Sequence, residues 1–268
     1  MIDRGKQNLL GVRVDAVDYE AAVERIIDAA RDERPYGVSA LAVHGVMEAV
    51  ADAELRHRVN HLELVTADGQ PVRWSLNLLF GTGLPDRCYG PTLMRKVCEA
   101  AAEAGLPVYL YGSRDDVVER LAARLVESIP GLVVAGTSPS RFAQVSPREL
   151  DDIAEDIRAT GARIVFAGLG CPRQEVFAYE LRERVKLPVL AVGAAFEYHA
   201  GLRKEPPQLI QRSGLQWLWR LLGDPRRLWK RYLTTNPAFV ARVAAQRLRM
   251  WHPDPDGTTA PAREAGYA

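Results

Sequence analysis

The stretch Ile164–Glu175, IVFAGLGCPRQE, decides how the chain is read. It opens on four apolar residues, Ile164 to Ala167, the pattern of a strand buried on both faces. Gly168 and Gly170 remove two side chains where that strand ends. Pro172, Arg173, Gln174 and Glu175 then lead into a helical pattern over Val176–Arg184. In an open parallel sheet, ligands bind beyond the carboxyl ends of the strands, where bare backbone and a helix N-terminus can meet a phosphate. The segment is therefore either the floor of a ligand site or a tight turn whose glycines serve packing alone.

Outward from this stretch the alternation repeats. Pro107–Tyr111 reads as a strand ending in Gly112-Ser113, with a helix over Asp115–Ser128 behind it. Pro188–Val192 is another strand, ending in Gly193. Upstream, Leu9–Val14, Tyr36–Val43 and Leu62–Thr66 read as strands. Helices are expected over Asp18–Asp32 with Asp18 as N-cap, over Val46–Arg58, over Val72–Leu79 behind Pro71, and over Pro91–Ala104. Leu132–Ala135 is a further strand, and Ser146 with Glu149 forms a capping box for a helix over Pro147–Thr160. This order predicts a mainly parallel, doubly wound α/β sheet with helices on both faces. Gly112, Gly168, Gly170 and Gly193 then fall along one sheet edge, as a phosphate approaching the backbone requires. Neither GxGxxG nor GxxxxGK[ST] is present, which argues against dinucleotide and P-loop chemistry.

The 268 residues suit one sizeable α/β domain with an appendage. Cys88, Cys98 and Cys171 are widely spaced with no CxxC pair, so neither a disulfide framework nor a zinc cluster is expected. No apolar run reaches the roughly 20 residues that span a bilayer. The expectation is a cytoplasmic protein or one lying on a membrane without crossing it. Charge is partitioned: residues 203–249 hold eleven Lys and Arg against Glu205 and Asp224, net +9, and leave −8 for the remainder of a chain whose total is +1. Four of the five tryptophans, Trp217, Trp219, Trp229 and Trp251, lie in or just after that segment. Helices broken at Gly223-Asp224-Pro225 are expected there, with a last basic helix over Pro237–Met250. Arginine beside amphipathic Trp suits a helix resting on an anionic membrane; nucleic-acid binding and protein docking are the other readings, and no DNA or RNA motif is present. The expected organisation is 1–202 catalytic, 203–250 basic appendage, and 251–268 a disordered tail.

Several residues could carry chemistry. Asp68, at the tip of a strand, is either a general base or an ordinary Asp-Gly turn. Arg87 is either a phosphate ligand or a solvated loop arginine. Gln174 and Glu175 either hold a substrate or begin a helix. His44, at a strand end, is either structural or part of the site. His57 and His61 lack the glutamate of HExxH and are not read as metal ligands. Asp254-Pro-Asp256 spells a DxD that could hold a metal on a pyrophosphate, but it falls in the tail read as disordered.

The ordered motifs VTADGQP (65–71), RCYGPTLM (87–94), YLYGS (109–113), VFAGLGCPRQE (165–175), VGAAFEYHAG (192–201) and GLQWLWRLLGDPRRLWKRYLTTNP (214–237) resemble the WecG/TagA/CpsF glycosyltransferases over residues 8–240. The resemblance implies a Rossmann-like fold and a metal-independent, inverting transfer without a cofactor. A sugar of N-acetylmannosamine type or a related hexose would pass from a UDP-sugar to a polyprenyl-diphosphate-linked acceptor, at the inner face of the cell membrane. It implies Asp68 as base, Arg87 as an active-site arginine and Gln174 as a pocket residue. It further implies Arg220, Arg227 and Arg231 as arginines that close over the site and meet lipid diphosphate. Beside what the resemblance implies, Gly112, Gly168, Gly170, Gly193, His44, Glu175 and Glu197 are the remaining residues expected to bind substrate. Two departures bear on substrate identity: Ala40-Leu41-Ala42 stands where members often have Thr-x-Asn, and Glu197 where an Asp is frequent. A nucleotide enzyme of another class, a non-catalytic membrane module and self-association stay open.

Overall fold

The computed structural model describes residues 1–223, 225–262 and 266–268; the side chains of Gln208, Arg212, Arg227, Lys230 and Arg231 lie outside the described residues. In chain order the elements are β1 Asp3–Leu9, β2 Val12–Val17, α1 Tyr19–Arg31, β3 Tyr36–Leu41, α2 Val43–Ala51, α3 Ala53–Asn60, β4 Leu64–Ala67, α4 Gln70–Phe80, α5 Gly90–Glu103, β5 Val108–Gly112, α6 Asp115–Ser128 and β6 Val134–Ser138. They continue with β7 Gln144–Val145, α7 Pro147–Ala159, β8 Ile164–Gly168, α8 Arg173–Val185, β9 Pro188–Ala191, α9 Ala195–His199, α10 Gln208–Arg212, α11 Gln216–Gly223, α12 Pro225–Arg247 and β10 Gly266–Tyr267.

Eight strands form one sheet in the order β1-β2-β4-β3-β9-β8-β5-β6. Only β1 runs antiparallel, as a hairpin with β2; the other pairings are parallel. Burial explains why the inner strands are apolar throughout. Along β8, Val165 and Ala167 enter one core while Ile164 and Phe166 enter the other. The first core packs under α2, α3, α7, α8 and α12, through Val46, Leu55, Leu150, Phe177 and Phe239. The second packs under α1, α5, α6 and α9, through Ile26, Val97, Leu121 and Phe196. The expected α/β sheet with helices on both faces is present.

The structure departs from expectation in several places. The first strand is a hairpin: Leu10 and Gly11 both have positive φ (59° and 89°), the two-residue turn that matches strand twist. The helix expected over Val46–Arg58 is two, because Asp52 turns out of the helix and accepts from Glu54 and Leu55 as the cap of α3. The turn ahead of α8 is tighter than expected, so Arg173 to Glu175 are already helical. No new helix starts at Pro237: α12 runs through it, and Phe239 and Val243 anchor its second half in the first core. Finally, the tail is held rather than disordered over its described part. Asn8 donates to Pro253 O at 2.8 Å, Asn60 to Pro255 O at 2.9 Å, and Arg13 pairs with Asp256 at 2.6 Å. Its last residues pair with β7 as β10, while 263–265 lie outside the described residues. The carboxylates of the DxD are thus engaged by Arg13 and by the tail's own backbone.

Candidate active site

Strands β3, β4, β8 and β9 end side by side, and two clefts open above them. The larger, ≈ 430 Å³, is lined by Ala40, Gly168, Gly170, Gln174, Gly193 and Glu197 among others. The smaller, ≈ 100 Å³, lies between the start of α4 (Gln70, Pro71) and Gln216, Trp217, Thr235 and Asn236 of α11 and α12. Ala42, His44, Asp68, Tyr89, Arg220 and Tyr232 line both. Asp68 is thus a carboxylate at the junction of two binding spaces.

Local geometry holds it there. Asp68 follows β4 directly, and its backbone N–H bonds Leu41 O at 3.2 Å, tying the tips of β4 and β3 together. The Gly90 N–H reaches its carboxylate, and a Cβ on Gly90 would stand 3.4 Å from Asp68 Oδ2 and 3.3 Å from the Ala40 methyl. A side chain there would be tight, requiring its neighbours to give by a few tenths of an ångström. Burial raises the Asp68 pKa above the ordinary carboxylate value; Arg87 and then Arg220 pull the other way. With a fifth of its side chain exposed, Asp68 remains open to an incoming hydroxyl.

Arg87 is buried, 3.9 Å from Asp68 Oδ1. Its guanidinium donates to Gln216 and, at 3.2 Å, to Gln211, and it lies 4.2 Å from the centre of the Tyr89 ring. Gln216 in turn donates to Tyr89 Oη at 2.9 Å. The solvated-loop reading of Arg87 fails, and its donors are directed at glutamines from the basic segment. Arg220 also reaches the junction. Burial works against its charge, but the Tyr198, Tyr232 and Tyr89 phenols and the Asp68 carboxylate outweigh that and raise its pKa. The side chains of Arg227 and Arg231 lie outside the described residues.

The glycines divide. A Cβ on Gly112 would meet the Gly168 backbone at 2.9 Å, one on Gly168 the Phe196 ring at 2.6 Å, and one on Gly193 Gln174 Oε1 at 2.7 Å. Those three serve close packing. Gly170, with φ 78°, has nothing within 4 Å and faces the larger cleft. Gln174 is buried beneath it, accepting from Gly170 N at 3.1 Å and donating to Glu175 at 3.0 Å. Glu197 is at the cleft but paired with Arg203 at 3.0 Å. His44, expected at the end of a strand over Tyr36–Val43, is instead the second residue of α2, because β3 stops at Leu41; it lies 3.4 Å from Glu48.

Glu175 is fully buried, with Ser39 Oγ and Gln174 Nε2 both donating to Oε1 at 3.0 Å; Oε2 has no hydrogen-bond partner among the described residues. Burial raises its pKa, so the neutral form is favoured in the folded protein. Its contribution to stability is therefore full below the unfolded-state value and declines as pH rises through the folded-state one. Glu175→Gln is expected to raise the melting temperature at pH 8 and leave it nearly unchanged at pH 4, measured by calorimetry at both.

The helices at the clefts share an electrostatic feature. No side chain caps the N-terminus of α2, α4, α5 or α8, as none caps α6, α9 or α10, whereas Asp18, Asp52 and Ser146 cap α1, α3 and α7. The positive ends of these helices are thus left at the clefts without a carboxylate cap of their own, an arrangement suited to anions. A family model described as the glycosyl transferase WecG/TagA/CpsF family matches residues 7–253.

The chain belongs to that family. It is a glycosyltransferase of cell-surface polysaccharide synthesis, and use of a UDP-sugar is typical of the family. The dinucleotide-enzyme and non-catalytic-module readings fall away. In this WecG/TagA/CpsF glycosyltransferase, Ala40 and Ala42 stand in the cleft walls, so both positions present methyl groups there. Gly90, Tyr89, Gln211, Gln216 and Tyr232 were not singled out from sequence. For Gly90 a signal existed: a glycine directly before Pro91 at a helix start, inside a motif already noted. No helix among the described residues is long and apolar enough to cross a membrane. Among those residues no group of three or more His, Cys, Asp or Glu is placed to hold a metal.

Proposed function

We propose that this glycosyltransferase inverts the anomeric centre and works without a metal. It moves a sugar of N-acetylmannosamine type, or a related hexose, from a UDP-sugar to a hydroxyl of a polyprenyl-diphosphate-linked acceptor at the inner membrane face. The observation that carries the reading is Asp68: one half-enclosed carboxylate shared by two clefts, with Arg87 and Arg220 beside it. The donor occupies the larger cleft, its diphosphate near Gly170 and the start of α8. The acceptor hydroxyl enters from the smaller cleft. Asp68 takes its proton as the oxygen attacks the anomeric carbon from the side opposite UDP. The bond to the diphosphate oxygen breaks, and UDP departs with the electron pair. Uncapped helix ends and Arg220 offset the charge that grows on it, the task a divalent cation performs in other sites. Arg87 joins them if it exchanges a glutamine partner for a phosphate.

The reading is tested by UDP release from a panel of UDP-sugars, with and without a short-chain prenyl-diphosphate-GlcNAc acceptor, in excess EDTA. Acceptor-dependent release that EDTA leaves unchanged is expected. Release abolished by EDTA and restored by Mg²⁺ or Mn²⁺ overturns the metal-independent part, and release without acceptor overturns the transfer.

A further inference from the structure

The smaller cleft has two walls. On one side are Gln70 and Pro71 at the start of α4; on the other are Gly214 and residues of α11 and α12. Both walls are apolar on the outside. On α4, Trp74 is 43% and Leu78 57% exposed, and residues four apart stand side by side on a helix. On the facing wall Leu215, Trp219, Leu222, Trp229 and Leu233 are exposed as well. The two patches touch: the Trp74 ring lies so close to Gly214 that a Cβ there would stand 2.4 Å from it, and Leu215 follows directly. Single exposed apolar residues need no explanation, but exposed apolar residues that include three tryptophans on the two walls of one cleft do. Neither α4, α11 nor α12 contains an Asp or Glu, while Arg73, Arg220, Arg226 and Arg242 are among their basic residues.

We propose that the outer face of α4, through Trp74 and Leu78, docks on an anionic bilayer together with α11 and α12, so that the smaller cleft opens to the lipid between two apolar lips. This rests on the membrane reading above and extends it to an element outside the basic segment. A lipid-linked acceptor then reaches Asp68 without its prenyl chain leaving the bilayer: the chain stays between the lips while the diphosphate and sugar enter the cleft. The absence of acidic residues from all three helices favours an anionic phospholipid surface over a second copy docked through the same face, where basic residues would meet basic residues.

The test uses the full chain as wild type, Trp74→Glu/Leu78→Glu, Leu78→Glu alone, and Val126→Glu on exposed α6 as control. Each is sedimented with vesicles of equimolar phosphatidylcholine and phosphatidylglycerol. Each is also assayed on a long-chain acceptor in vesicles and on a short-chain soluble one. The α4 variants are expected to lose at least about tenfold in vesicle binding and in turnover of the vesicle-borne acceptor. Turnover of the soluble acceptor and all properties of Val126→Glu stay as in wild type. Leu78→Glu, at a half-exposed position, carries the test if the double variant does not fold. Undiminished vesicle binding by the α4 variants overturns the proposal and leaves the membrane reading standing. So does a fall in mass by light scattering with vesicle binding retained, which assigns the face to a second copy. If wild type itself fails to bind vesicles, the membrane reading falls and this proposal with it.

Discussion

Asp68→Asn is expected to lower kcat by roughly 10²–10⁴ and leave the affinity for the UDP-sugar nearly unchanged. Asparagine keeps the shape and can still accept from the Gly90 N–H, but it cannot take a proton from the acceptor hydroxyl. The matching pH profile follows from the same surroundings. A base must be ionised to act, and burial sets the Asp68 pKa above its ordinary value. Activity of the wild type should therefore fall on the acid side with a midpoint above 3.8, the unperturbed aspartate value. Arg220 lowers the Asp68 pKa, so Arg220→Gln should move that midpoint upward. Single-turnover rates across pH read both. An Asp68→Asn enzyme that turns over at the wild-type rate, or an acid limb that Arg220→Gln leaves in place, would falsify the assignment of Asp68 as base.

Features written in neighbouring residues were legible in advance. The helix Asp115–Ser128, the Asp18 cap and the Ser146–Glu149 capping box depend on contacts within one turn, and each forms where read. The parallel sheet was legible because strands buried on both faces are apolar at every position. β1 was not: DRGKQNL is largely polar with only Leu9 buried, and it is a strand only because β2 lies beside it. The run through Pro237 was missed for a similar reason. A proline interrupts the local hydrogen-bond pattern, but Phe239 and Val243 gain their burial from distant helices. The tail's place against the hairpin depends on Asn8, Arg13 and Asn60, polar groups with no pattern of their own.

The site divided along the same line. The place of Asp68 at the end of β4 was readable, because an apolar run followed by Asp-Gly is a local signal. That it stands between two clefts was not, since the second cleft exists only where Gln216, Trp217 and Asn236, far along the chain, fold over the sheet edge. The hydrogen bonds from Arg87 to Gln211 and Gln216 span more than a hundred residues and leave no trace in spacing. Family membership supplies the chemistry; the long-range contacts supply the reason that Arg87 and Arg220 share the neighbourhood of one carboxylate.

Gly112→Ala and Gly170→Ala should separate packing from ligand binding at the glycine-lined edge. Gly112 has φ 114°, and a Cβ there would press on the Gly168 backbone at 2.9 Å, where no side-chain rotation can relieve it. The pairing of Gly112 with Gly168 that closes β5 against β8 would have to open. Gly112→Ala is therefore expected to cost about 3 kcal/mol, strain and clash together, and to lower the melting temperature markedly. Gly170 is also at positive φ, 78°, but a methyl there meets nothing. Its substitution should cost about 1 kcal/mol in backbone strain. The methyl would instead project into the larger cleft, so Gly170→Ala should raise KM for the UDP-sugar severalfold in a protein that stays folded. Thermal melts and donor titrations of the two variants distinguish the roles: a Gly112→Ala protein as stable as wild type contradicts the packing account, and an unchanged donor KM in Gly170→Ala removes the diphosphate from that loop.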